Sequence, residues 1–432
     1  MLSTADLSTV ADSRLRSRLA RYFKSVWPGD PLSAGFWIFF MAALFFDFGF
    51  GLYFFLFNVF LANLHFNEKV IGMVTSALVL GNVAGTIPVS LLVNRFGLQK
   101  ILLGCFIAAP ILSVVRLLVF SMQAQVALGF FTGVALSCWP VCFSPVAAKL
   151  TSENNRVSAF SILFATGIGS GTIAGLVGGY LPTMIRATSG ANRLADSMRP
   201  VLMLACVVAM FGIWPISKLR LGKTEYTAAV RSRLIHPVLI RFLPAFALWS
   251  LVTGSFTPFA AVFLQQHLKM AIKDVGVIFS GSQLIQFAAV LLAPLLYKRF
   301  GTIIGIMCAQ IATGVAVFAL GRSQTSSMAV FCYLAYTGVQ YMSGPGFYSM
   351  LMSRLPDGER SKASAVQNIT GALSQAAAAA ITGSLLVRYG YPTVLSGNAI
   401  VAFAAALLLL VLLGSTNRQT HGASVPVLDI DA

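Results

Sequence analysis

Long apolar runs separated by short polar gaps recur along almost the whole chain. They fall at 35–64, 68–93, 101–120, 124–148, 157–182, 201–217, 238–266, 274–297, 302–320, 327–351, 362–387 and 392–413. At about 1.5 Å per residue, runs of this length match a hydrocarbon core about 30 Å thick, so they predict twelve spanning helices. Several gaps hold only a few residues, which makes successive helices antiparallel. The two longer gaps, 183–200 and 218–237, carry most of the remaining polar sequence.

Composition supports that reading. The 432 residues are 57% hydrophobic and only 10% charged, with a mean hydropathy of +0.82, which excludes a soluble globular domain of this size. The expected class is an all-α polytopic membrane protein. The net charge of +17 does not mark a nucleic-acid partner, because the basic residues sit in the gaps between apolar runs rather than along one solvated face. Sorted by side of the membrane, about 21 Lys and Arg residues fall with the termini and about 8 on the other side, so the positive-inside rule predicts cytoplasmic termini in the inner or plasma membrane. Residues 1–34 interleave Arg14, Arg16, Arg18, Arg21 and Lys24 with Leu15, Leu19, Tyr22, Phe23 and Trp27. That spacing suits an amphipathic helix on an anionic leaflet, or equally a disordered tail, and not a signal peptide. Lipid is therefore an expected partner. All six cysteines lie inside apolar runs and predict neither a disulfide framework nor a metal site.

The first run carries one acid, Asp47, near its middle. A carboxyl at the midplane costs roughly 2.5 to 3.5 kcal/mol to insert, so it faces a protein interior or a wet cavity and is a functional candidate. The alternative is a packing role satisfied by a neighbouring helix. Asp47, Gly51, Phe54 and Asn58 follow helical spacing and share one face.

An internal repeat then organises the chain. Gly72 and Arg95-Phe96-Gly97 recur 204 residues later as Gly276 and Arg299-Phe300-Gly301, and Ser76/Ser280, Arg156/Arg360, Ala159/Ala363, Gly167/Gly371 and Gly179/Gly383 keep that offset. Val59-Phe60-Leu61 recurs at 262–264, and Thr132-Gly133-Val134 at 337–339. Six helices are thus duplicated in parallel. The predicted organisation is a basic segment at 1–34, a six-helix bundle at 35–217, a linker at 218–237, a second bundle at 238–413 and a tail at 414–432.

Two parallel six-helix halves, a basic linker, and an Arg-aromatic-Gly loop after the second helix of each half together resemble the major facilitator superfamily of transporters. In the first loop Ser90 and Asn94 stand where the family has Gly and Asp, while Arg95, Gly97 and Lys100 fit; Lys298 takes the acid's place beside Arg299 and Gly301 in the second copy. Any charge lock at these loops must therefore come from other groups. The resemblance implies alternating access, with a central cavity lined mainly by helices 1, 4, 7 and 10. On those helices the candidates are Asp47, Phe54 and Asn58, Trp139, then Ser250, Thr253 and Thr257, and finally Gln340 and Tyr341. Packing polarity is the competing role for the Ser and Thr residues.

Gly167, Gly171, Gly175 and Gly179 follow four-residue spacing on helix 5, which lets a neighbouring helix approach closely. The run resembles the fifth-helix glycine motif of proton-coupled exporters but has Leu176 where that motif has proline. Arg116, late in helix 3, is a candidate counter-ion for Asp47, but a basic side chain near a helix end is expected to snorkel to the interface. The four His residues sit at helix ends or in the tail, and neither a phosphate-binding loop nor a hydrolytic constellation is present. The expectation is a non-enzymatic, monomeric secondary transporter of a small organic solute, without cofactor or metal, coupled to protons through Asp47. An uncoupled facilitator, a lipid-type flippase and a non-transporting receptor are the alternatives.

Overall fold

A computed structural model describes residues 31–190, 192–219, 221 and 237–414. The basic N-terminal stretch before residue 31, nearly all of the 218–237 linker and the tail after 414 lie outside the described residues. Every element among the described residues is helical, as it must be where the surrounding lipid offers the backbone no hydrogen-bond partner.

The helices are α1 (Ala34–Asn63), α2 (Glu68–Phe96), α3 (Leu98–Leu118), α4 (Met122–Lys149), α5 (Arg156–Ser189), α6 (Leu194–Lys218), α7 (Val238–His267), α8 (Ile272–Phe300), α9 (Thr302–Gly321) and α10 (Ser326–Ser353). A last stretch, Asp357–Leu413, is divided at Gly390, whose φ of 72° and ψ of 169° break the helix. Its two parts are α11 (357–389) and α12 (391–413). Ten helices among the described residues, the last stretch counted as one, are long and apolar enough to cross a membrane. The division at Gly390 and the more polar α10 are consistent with twelve spans.

Helix starts follow from local chemistry. Ser33 caps α1 by accepting from the Phe36 N–H at 3.1 Å and donates its own hydroxyl to the Leu150 carbonyl at 2.8 Å. Asn67 caps α2 through the Val70 N–H, and Thr325 caps α10 through the Met328 N–H. The polar gap at 183–200 is shorter than its composition suggests, because α5 runs on to Ser189 and α6 begins at Leu194.

The two halves pack by the same scheme. α1 lies against α5 and α6 as α7 lies against the Asp357–Leu413 stretch; α2 against α4 matches α8 against α10, and α3 against α4 matches α9 against α10. Between halves, α2 packs on α11 and α5 on α8.

Those inter-half contacts concentrate at one end. Tyr391 donates to Glu68 at 3.3 Å, Asn63 to Gln265 at 3.2 Å, Asn58 to the Pro258 carbonyl at 2.9 Å and Ser280 to the Thr172 carbonyl at 2.6 Å. One hydrophobic core runs through both halves there, including Leu56, Phe60, Val74, Phe259, Leu264 and Val275. At the other end each half has its own core, one around Phe39, Phe106 and Leu163 and one around Phe242, Ile306 and Phe347. The halves are joined at the end that holds 58–74 and 258–280.

Candidate functional site

Below that joined end lies a cavity of about 760 Å³, lined from both halves by α1, α2, α3, α4, α5, α7, α8 and α10. Asp47 lines it, on the same face of α1 as Gly51, Phe54 and Asn58. Among the described residues no hydrogen bond or ion pair holds the Asp47 carboxylate. Gly167 of α5 explains part of the room around it, since a Cβ there would stand 3.7 Å from Oδ2.

The N-terminal wall is aromatic. Phe46 stacks near Trp139 at 4.8 Å and near Phe50 at 4.7 Å, and Phe50 is followed by Phe54 at 5.6 Å between ring centres. Trp139 lines the cavity just after Ser137, where α4 is interrupted between Met122–Leu136 and Cys138–Lys149. The opposite wall offers neutral hydrogen-bonding groups: Thr257, Gln283, Gln286, Tyr333, Tyr336, Gln340 and Tyr341. Of these, the Tyr336 hydroxyl and Gln340 Oε1 are buried without a partner.

The cavity gathers Asp47, Phe54, Asn58, Trp139, Thr257, Gln340 and Tyr341 of the expected set. Ser250 and Thr253 do not line it. Ser250 is buried with its hydroxyl toward α11, 3.5 Å from a Cβ on Gly371, while Gly254 meets Gln375 of the same helix. That part of α7 packs within its own half; Thr257 and Ala261, about two and three turns past Ser250 on the same face, line the cavity. Repeat register carried the stripe and its orientation: Ser250 faces Gly371 and Gly254 meets Gln375 as Asp47 faces Gly167 and Gly51 meets Gly171, but of Asp47 and Ser250 only Asp47 lines the cavity.

Arg116 overturns the expectation that it snorkels. It is only 1% exposed, lines the cavity, and holds its guanidinium carbon 4.1 Å from the centre of the Phe57 ring. The run Tyr333, Tyr336, Thr337, Gln340, Tyr341 is a polar stripe at helical spacing on α10 that sequence reading noted only in part.

The glycine stripe of α5 meets the other half. Gly171 faces the Gln283 amide, Gly175 faces Ser280 and Phe279, and Gly179 packs on Gly276, where a Cβ on Gly179 would lie 3.0 Å from the Gly276 Cα. The two Arg-aromatic-Gly loops adopt one geometry at the end where the cores separate. Gly97 (φ 85°) and Gly301 (φ 79°) accept no side chain easily in that conformation, and Arg95 and Arg299 lie 5.3 and 5.4 Å from the ring centres of Phe96 and Phe300. Asn94 and Lys298 are exposed beside them.

The sequence matches the profile of the Major Facilitator Superfamily over residues 39–379 and 242–426. The chain belongs to the major facilitator superfamily. It is a multi-pass membrane protein of a transporter superfamily and not an enzyme. Curated protein sequences give no match. Among solved structures, this superfamily member is similar to the nucleoside transporter NupG, at 14% identity and a TM-score of 0.72 over 88% of this chain and 99% of that one. It is also similar to a D-xylose-proton symporter (17%, 0.71, 87% and 96%). A third is a bacterial homolog of the human lysosomal transporter Spinster in an inward-facing, occupied conformation (12%, 0.67, 89% and 96%). At such identities the likeness establishes the fold.

Proposed function

We propose that this superfamily member is a secondary active transporter of a small organic solute, working by alternating access with Asp47 as the proton-coupling or solute-contacting acid. The observation that carries the reading is the cavity between two similarly packed halves, holding a carboxylate with no partner among the described residues. A buried carboxyl in that position is costly to keep charged and can exchange its proton only when water reaches it. Phe54, Asn58, Trp139, Thr257, Gln340 and Tyr341 would contact the solute, and 35–217 and 238–413 would be the rocking bodies, joined by 218–237. One structural neighbour is a D-xylose-proton symporter, which is in keeping with proton coupling.

The Lys/Arg bias supports cytoplasmic termini in the cell membrane. The joined end would then face outward, and the cavity would belong to an inward-facing state of a monomer surrounded by lipid. The Asn94 and Lys298 positions, with Arg95, Gly97, Arg299 and Gly301, would then sit at the cytoplasmic end, where the halves close in the opposite state.

An uncoupled facilitator or lipid-type flippase is the second reading, favoured by the aromatic wall of Phe46, Phe50 and Phe54. Flux in proteoliposomes across a metabolite and drug panel, with and without a pH gradient, tests both. Solute accumulation that requires the gradient supports the first reading; equilibrating flux indifferent to it selects the second.

A further inference from the structure

We propose that Arg116 is the anion-recognition point of the cavity, so that the molecule carried bears a carboxylate or phosphate group. This inference rests on the transport reading above and gives it a substrate class.

Arg116 lines the cavity, yet it is 1% exposed and its Nε and Nη1 have no hydrogen-bond partner among the described residues. The titratable groups that act on it are Tyr53 and Cys206, neither of which is a carboxylate. Tyr53 donates its hydroxyl to the Ser113 carbonyl at 3.1 Å, and its oxygen is not a partner of Arg116 Nε or Nη1. The Phe57 face, 4.1 Å away, offsets only part of the cost of burying a cation and supplies no hydrogen-bond acceptor.

Asp47 does not supply the missing anion. It stands ten residues before Phe57 on α1, about 15 Å along the helix axis. Both α1 and α3 belong to the same half, so rocking of one half on the other leaves that separation unchanged. Across the cavity, Tyr336 and Gln340 present neutral groups. No acceptor among the described residues completes Arg116 Nε and Nη1, which leaves that role to a ligand. A guanidinium, planar and permanently charged, fits a carboxylate or phosphate better than any other group in the cavity does. A soluble solute and a lipid headgroup share that chemistry.

The test uses the purified full-length chain and matched probes: benzoate against benzamide, glycerol 3-phosphate against glycerol, and nanodiscs of phosphatidylcholine with or without phosphatidylglycerol. At least one anionic probe is expected to raise the melting temperature saturably while its neutral counterpart does not. Arg116→Gln should weaken that probe about tenfold or more, and Arg116→Lys, which keeps the charge but loses the fork, should fall between. If the Gln variant does not fold, the Lys variant carries the comparison. A response to the soluble anions identifies a soluble solute; a response confined to phosphatidylglycerol identifies a headgroup. The inference is overturned if no anionic probe exceeds its neutral counterpart, or if both variants bind the anion as the wild type does. Undiminished flux of a neutral solute by Arg116→Gln would overturn it too, leaving the transport reading standing. Anion binding that depends on Arg116 without flux of any solute would instead defeat the transport reading alone.

Discussion

Asn58 of α1 donates from Nδ2 to the carbonyl of Pro258 on α7, 2.9 Å away, across the seam between the halves. The acceptor lies in the short Thr257–Phe259 turn where α7 leaves α geometry, at the ceiling of the cavity. A bond of this kind contributes a net ~0.5–1.5 kcal/mol, and in alternating access it exists in only one of the two states. Asn58→Leu is therefore expected to shift the population toward the opposite state by a factor of about 2 to 10. The check is labelling of Thr75→Cys from the joined side, in a background lacking the native cysteines: the rate should rise when Asn58 is replaced.

Close packing of α5 on α8 makes a steeper prediction. A Cβ on Gly276 would lie 2.7 Å from the Gly179 Cα, backbone that has no flexible end to move aside. Gly276→Leu should force the helices apart, destabilise the joined state by roughly 1–3 kcal/mol and slow flux, read together as a lower melting temperature and a lower transport rate.

Gly97 and Gly301 call for the same substitution with a different cause. Nothing lies within 4 Å of a Cβ at either position, so the cost of Gly97→Ala or Gly301→Ala is backbone strain alone, about 1–3 kcal/mol each. Thermal unfolding of the two variants should show similar losses, because the two loops share one conformation.

Much of this architecture is legible in the sequence because the signals are long or repeated. Apolar runs tens of residues long fix where helices lie, and the 204-residue offset anticipates the matching loops at Gly97 and Gly301. The gap at 388–391 marks the break that Gly390 makes. What escapes is which positions open onto the cavity. Ser250 and Asp47 share a repeat position and an orientation, Ser250 toward Gly371 as Asp47 toward Gly167, yet only Asp47 lines the cavity. Arg116 escapes for a related reason: its place near a helix end suggests snorkelling, and only the packing of Phe57 against it shows that the guanidinium stays inside. The tyrosine and glutamine stripe on α10 carried a readable helical period, masked by the apolar residues between its members.

The central claim is that the cavity carries solute in exchange with the proton state of Asp47. Its most direct test compares wild type and Asp47→Asn in proteoliposomes, under an imposed pH gradient and in gradient-free exchange of the same solute. The account predicts that Asp47→Asn remains folded and loses gradient-driven accumulation while solute exchange persists. Unchanged gradient-driven accumulation by that variant would contradict it.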